Sequence, residues 1–157
     1  MSAPIRVLCV ITVRFAENGI SAFVMNHYRH MDPKRVHVDF AAPNLPSEAV
    51  QQEIAARGGQ IHVFPMRNRN PLAYIRKLSD CIRNNRYDIV HAHGNSATLY
   101  LEMAAARRGG AMVRIPHSHN TACAMRLADK LLRGAFYRSY THAFACGEAA
   151  GQWLFPH

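Results

Sequence analysis

The sequence predicts an α/β domain, a doubly wound parallel sheet of about six strands in the order 3-2-1-4-5-6 with helices on both faces. Three observations predict it. Short stretches rich in β-branched residues alternate with segments of helical periodicity along the whole chain. The connections are short, and strand–helix–strand units cross over right-handed, which makes the strands parallel neighbours. Finally, 157 residues, 49% apolar and 18% charged, suffice for one buried core, and no repeat, low-complexity tract or composition shift marks a second domain.

The elements follow in order. Ile5 to Val13 is nearly continuously apolar, which suits a central strand covered on both faces. The turn-forming stretch Arg14 to Gly19 leads into a helix with Ile20, Phe23, Val24 and Tyr28 on one face, stopped by Asp32-Pro33. Val36 to Ala42 reads as a strand. Ser47 to Arg57 is a helix capped by Ser47 and ended by Gly58-Gly59, and Gln60 to Phe64 is a strand. Pro71 to Arg86 is a helix with proline in its first turn, followed by a strand over Tyr87 to His93. A helix over Ser96 to Arg108 stops at Gly109-Gly110. Ala111 to Pro116 is a strand, Ala124 to Arg138 a helix, Thr141 to Ala145 a strand, and Glu148 to Leu154 opens a last helix.

The balance of 19 Lys and Arg against 10 Asp and Glu gives a net charge of +9 with histidines neutral. Such a charge suits anionic partners: nucleic acid, lipid headgroups or phosphorylated small molecules. No RNP-type aromatic motif, zinc knuckle or helix-turn-helix spacing favours nucleic acid. Cys9, Cys81, Cys123 and Cys146 lie far apart, without a C-x-x-C pair, and read as reduced thiols of a cytosolic protein. No apolar stretch is long enough to span a membrane, and nothing resembles a secretory signal. Arg126, Lys130 and Arg133 with Leu127 and Leu131 form an amphipathic helix face that suits either solvent or an anionic lipid surface.

Ligands of open α/β sheets bind beyond the carboxyl ends of the strands, where strand order reverses. Three loops should converge there: Asn18-Gly19 after the first strand, His91-Ala92-His93-Gly94-Asn95-Ser96 at the end of the fourth, and His117-Ser118-His119-Asn120-Thr121 at the end of the fifth. Gly19 opens a helix, where a phosphate meets backbone N–H groups. His91, His93, His117 and His119 form two His-x-His pairs, each on one face of its strand. Metal ligation is one reading of these pairs. With no carboxylate beside them, hydrogen bonding to a polyhydroxylated or phosphorylated ligand is the favoured one, and packing in the cover of the sheet is the plain alternative for His91. The absence of a G-x-S-x-G elbow and of paired carboxylates disfavours hydrolysis.

Four runs, Gly19 to Arg29, Tyr87 to His93, Arg114 to Thr121 and Ala145 to Phe155, resemble in order the amino-terminal half of family 4 glycosyltransferases, above all the bacterial exopolysaccharide and capsular polysaccharide enzymes. The resemblance implies one Rossmann-like lobe of a two-lobed GT-B fold, residues 1–157 being the acceptor-binding domain. It implies transfer of a sugar from a nucleotide-sugar donor, with retention of configuration and without metal or other cofactor, to a saccharide or lipid-linked acceptor. By the same resemblance His117 is the catalytic histidine. His93, Gly94, Asn95, Ser118, His119, Asn120 and Thr121 shape the acceptor side, and Asn18 and Gly19 form the donor-phosphate loop. Where the family carries a Gly-Gly pair and an acidic residue, this chain has Asn18-Gly19-Ile20-Ser21. The family's two glutamates eight positions apart do not occur among Glu17, Glu48, Glu53, Glu102 and Glu148, so the donor-binding domain is expected outside this chain. A cytoplasmic location with peripheral contact at the inner face of the plasma membrane is expected, as is inactivity of this lobe alone. A non-catalytic basic binding module for anionic membrane or nucleic acid is the competing expectation.

Overall fold

A computed structural model describes residues 3–64 and 67–155. Six parallel strands form one sheet: β1 (Ile5–Ile11), β2 (Val36–Ala42), β3 (Ile61–Val63), β4 (Ile89–Gly94), β5 (Val113–Ser118) and β6 (Phe144–Ala145), in the order β3-β2-β1-β4-β5-β6. This is the expected topology, with the reversal of strand order between β1 and β4.

Alternation along the strands feeds two cores. On one face Leu8, Val10, Val90 and Ala92 pack against α3 (Pro71–Asn85), α4 (Tyr100–Gly109), α5 (Arg126–Tyr137) and α6 (Glu148–Leu154) through Leu78, Ile82, Met103, Phe136 and Leu154. On the other, Cys9, Ile11, Val38 and Phe40 meet Val24, Met25 and Tyr28 of α1 (Gly19–His30) and Ile54 of α2 (Glu48–Ala56). Burial on both faces is why β1 reads as a nearly continuous apolar run, interrupted by Arg6 near its exposed start.

Helix ends follow local chemistry. Asn18 caps α1, its Oδ1 accepting from the Ser21 N–H at 3.0 Å, and Asn70 caps α3 in the same way through Ala73. Ser47 precedes α2 as expected but makes no side-chain cap bond. Gly110 ends α4 in the left-handed conformation, φ +91°. Arg86 ends α3 in that conformation as well, φ +53°, where glycine is usual. That turn sends the Tyr87 N–H to the Ile82 carbonyl, so β4 starts at Ile89 rather than at Tyr87. Gly109 sits against α3: a Cβ there would lie 2.7 Å from Cβ of Ile82.

Other elements differ from expectation too: β1 ends at Ile11 rather than Val13, and β5 runs from Val113 to Ser118 rather than from Ala111 to Pro116. A 3₁₀ turn over Ala97–Leu99 precedes α4, because Asp129 of α5 takes the Ala97 N–H at 2.7 Å and Arg133 at 2.9 Å, tightening the chain at that point. Helix α5 begins at Arg126 rather than Ala124. The last strand is two residues long, because the N–H groups of both Thr141 and His142 converge on the Arg114 carbonyl and the chain wraps the start of β5 before running beside it. The four cysteines are free, and among the described residues no helix is long and apolar enough to cross a membrane.

Candidate active site

Strands β4 and β5 run in register with His93 opposite His117 and Gly94 opposite Ser118. His91, His93 and His117 therefore share the face that α1 covers, and His119 follows just beyond the end of β5. The four rings form one cluster. His91 Nε2 lies 3.0 Å from His117 Nδ1, and His93 Nδ1 lies 2.9 Å from His119 Nε2. The His117 and His119 rings stack, centroids 4.6 Å apart. Phe23 of α1 stands edge-on to both at 5.0 Å. Phe144 of β6 closes the other side against His91 and His117.

Burial, and after it the neighbouring imidazoles, push His91 down to about 4 and His117 down to about 3. The same causes hold His93 well below the usual histidine range, and burial lowers His119. At neutral pH the four rings are uncharged, each with one N–H and one lone pair. They act as hydrogen-bonding groups there, not as cations. His91, His93 and His117 also bring their ligating nitrogens within 4.8 Å of one another, a set able to hold a metal ion.

A crevice of about 590 Å³ opens where the β1–α1 loop faces the end of β5, lined by Arg14, Asn18, Gly19, Phe23, His119, Asn120 and Cys146 among others. Of the expected site residues, Asn18, Gly19, His119 and Asn120 meet there. Exposed Thr121 adjoins them in sequence but does not line the crevice. The others lie behind the wall. His93 and His117 are 2% and 5% exposed, and Ser118 is fully buried. At Gly94 a Cβ would meet Thr12 Oγ1 at 2.9 Å, so close packing explains the glycine. The convergence of three loops thus reduces to two, because the end of β4 is covered by the 3₁₀ turn and by Trp153 of α6. Asn95 braces this roof: its Oδ1 accepts the His119 N–H at 3.1 Å and its carbonyl accepts Trp153 Nε1–H at 3.1 Å.

Sequence reasoning placed Phe23 on one helix face with Ile20, Val24 and Tyr28 and missed its place beside the histidines. Its spacing of four from His27, whose Nδ1 lies 2.8 Å from the Phe23 carbonyl, was the available signal. It also missed Arg14 at the crevice mouth. Two further depressions occur, the first sharing Arg14, Asn18 and Gly19 with the crevice. One, of about 740 Å³, lies between residues 14–29 and 44–50, and the other, of about 350 Å³, lies beside Thr12, Arg67, Arg69 and Tyr74. The amphipathic face of α5 is narrower than expected. Leu127 and Leu131 are each 73% exposed, and Arg126 and Lys130 are exposed beside them. Arg133 instead turns inward to Asp129, Tyr137 and the Trp153 carbonyl.

The fold recurs in solved structures of low sequence identity. MurG of Acinetobacter baumannii matches with a TM-score of 0.59 at 12% identity, over 98% of this chain and 43% of that one. The UDP-GlcNAc 2-epimerase of Neisseria meningitidis, solved bound to UDP-GlcNAc, matches with a TM-score of 0.59 at 16% identity, over 94% and 42%. In sequence, a Bacillus subtilis (strain 168) protein named as a glycosyltransferase, EpsF, is 35% identical over 145 residues. That alignment covers 87% of this chain and 38% of EpsF, so the chain spans well under half the length of this relative. The family model of Glycosyltransferase Family 4 matches residues 17–156. With that family's pattern over nearly its whole length and a sheet of the expected order, the chain belongs to glycosyltransferase family 4.

Proposed function

We propose that this chain is the acceptor-binding lobe of a retaining glycosyltransferase that moves a sugar from a nucleotide-sugar donor to a saccharide or lipid-linked acceptor in bacterial polysaccharide synthesis. Membership of the family and the likeness to EpsF support the reaction class. The observation that carries the local reading is the crevice, which sets the start of α1 across from His119.

In this reading the donor diphosphate approaches Asn18 and Gly19. Nothing lies within 4 Å of a Cβ built at Gly19, so a ligand has room to come close to the backbone. Departure of a nucleoside diphosphate develops negative charge, which the helix start and Arg14 offset without a metal ion or a strong nucleophile. His119 faces the transferred sugar and donates or accepts as a neutral ring. His117, first singled out for that part, stacks beneath it and fixes its plane. Asn120 and Thr121 lie on the acceptor side, while His93, Gly94, Asn95 and Ser118 shape that wall from behind. A second, donor-binding lobe outside these residues closes the cleft and excludes water. The lobe alone then turns over little or no substrate.

The outward side of α5 supports peripheral membrane contact. Leu127 and Leu131, flanked by Arg126 and Lys130, present apolar and cationic groups together, as an anionic cytoplasmic leaflet requires. Leu127→Asp with Leu131→Asp should abolish co-sedimentation with anionic vesicles. Unchanged sedimentation removes this part of the proposal.

The reaction itself is tested by NMR of the product made by the full-length protein from a nucleotide sugar. Transfer with the donor's anomeric configuration supports the reading. Inversion overturns retention, and absence of transfer to any saccharide or lipid-linked acceptor overturns the whole.

A further inference from the structure

We propose that His91, His93 and His117 form a transition-metal site, best suited to Zn²⁺, behind the crevice wall. Residues two apart on one strand share a face at about 6.6 Å spacing, and neighbouring strands lie about 4.8 Å apart. An imidazole at each of three such positions converges on one point between the strands. Here His91 and His93 ring centroids are 4.2 Å apart, and His117 lies 5.2 Å from the first and 5.0 Å from the second. The ligating nitrogens fall within 4.8 Å of one another. Three nitrogens at about 2.0–2.1 Å from a tetrahedral zinc stand about 3.3 Å apart, so side-chain rotation alone closes the set.

A second observation points the same way. His117 Nε2 is buried and has no hydrogen-bond partner, in a side chain that is 5% exposed. Buried polar atoms are seldom left so, and an ion taken on Nε2 removes the deficit while Nδ1 keeps its hydrogen bond with His91 Nε2. The chemistry of the set is specific. Imidazole nitrogen suits zinc, copper, nickel and iron, whereas magnesium and calcium need oxygen donors. His119 Nε2, 2.9 Å from His93 Nδ1, is placed as the outer partner that fixes the His93 ring so that Nε2 faces the ion. The fourth position opens into a cavity of about 290 Å³ beneath α1, lined by Cys9, Phe23 and His27 among others, with room for water. The ion would lie off the crevice, so this site is compatible with sugar transfer that needs no metal.

The test is titration of the metal-stripped full-length protein with Co²⁺ and Zn²⁺. One Co²⁺ per chain should give visible absorption of four- or five-coordinate intensity, displaced by Zn²⁺. His91→Gln and His117→Gln should each lower affinity by more than the roughly 10- to 100-fold that loss of an outer partner costs. His30→Gln, in an exposed histidine of α1, should leave it unchanged. X-ray absorption of the unmutated zinc-loaded protein needs no variant to fold, and should show three imidazole nitrogens at about 2.0–2.1 Å. Weak six-coordinate Co²⁺ spectra, binding that survives both substitutions, or an oxygen-dominated zinc shell would overturn the site. None of these results depends on whether the protein transfers sugar.

Discussion

Asn95 and His119 are joined across the top of the sheet by a single hydrogen bond, the Asn95 side-chain oxygen accepting the His119 backbone N–H at 3.1 Å. The bond ties the end of β4 to the first residue beyond β5, and so sets the height of the His119 ring in the crevice. Asn95→Ala should lower stability by about 1–2 kcal/mol, measured by urea denaturation, because a part-buried N–H loses its acceptor. In the full-length protein it should reduce kcat more than it raises KM. Asn95→Asp keeps the acceptor oxygen and should recover most of both.

Arg86 ends α3 at φ +53°, a conformation that strains a residue with a Cβ by about 1–2 kcal/mol. Arg86→Gly removes that strain and adds backbone freedom to the unfolded chain. The strain term is the larger, so the variant should gain about 0.5–1 kcal/mol in the same denaturation experiment. A loss of stability would show that contacts of the arginine side chain outweigh the turn.

Gly109→Ala should act in the opposite sense. Alanine favours helix by about 1 kcal/mol, but its Cβ would meet Cβ of Ile82 at 2.7 Å and the Ser79 carbonyl at 2.9 Å, neither at the end of a flexible chain. Overpacking of that kind costs about 1–3 kcal/mol, so a net loss of about 1–2 kcal/mol is expected. Thermal unfolding measures it.

Alkaline pH should destabilise the domain. Tyr87 donates to Asp39 Oδ2 at 2.6 Å, and burial followed by this carboxylate raises its ionisation far above the usual tyrosine range. Burial raises Tyr74 well above that range too. Stability from a raised group is fully present below the unfolded pKa, about 10, and is lost as pH rises toward the folded value, because the unfolded chain releases a proton that the native state keeps. Each such group contributes a slope of about 1.4 kcal/mol per pH unit in that window. Denaturation curves at pH 9 and pH 11 check this, and Tyr87→Phe should flatten the dependence by one proton.

Much of the fold was legible because its signals are local. The run Ile5 to Ile11 is apolar on both faces, and that alone places β1 at the centre of a parallel sheet. Caps were less legible: Ser47, the expected one, makes no cap bond, whereas Asn18 and Asn70 cap α1 and α3. The errors arose where tertiary contacts override local pattern: Asp129 tightening the chain before α4, Arg114 gathering Thr141 and His142, and Asp129, Tyr137 and Trp153 drawing Arg133 inward. Within the site, the His-x-His spacing disclosed that the two members of each pair lie on one face, but not that the four rings bond to one another. Nor does spacing say which histidine reaches solvent. That depends on β5 ending at Ser118, which leaves His117 under Phe23 and carries His119 to the crevice.

The central claim is that this lobe presents His119 to a sugar in transfer. Its most direct test is nucleoside diphosphate release by the full-length protein from UDP-, GDP- and dTDP-sugars, with lipid-linked and saccharide acceptors extracted from bacterial membranes, compared with His119→Ala. The account predicts acceptor-dependent release that persists in the presence of a chelator and falls by at least about 100-fold in the variant, the loss typical of a group that stabilises a transition state. Release that is equal in His119→Ala and the unmodified protein would contradict it.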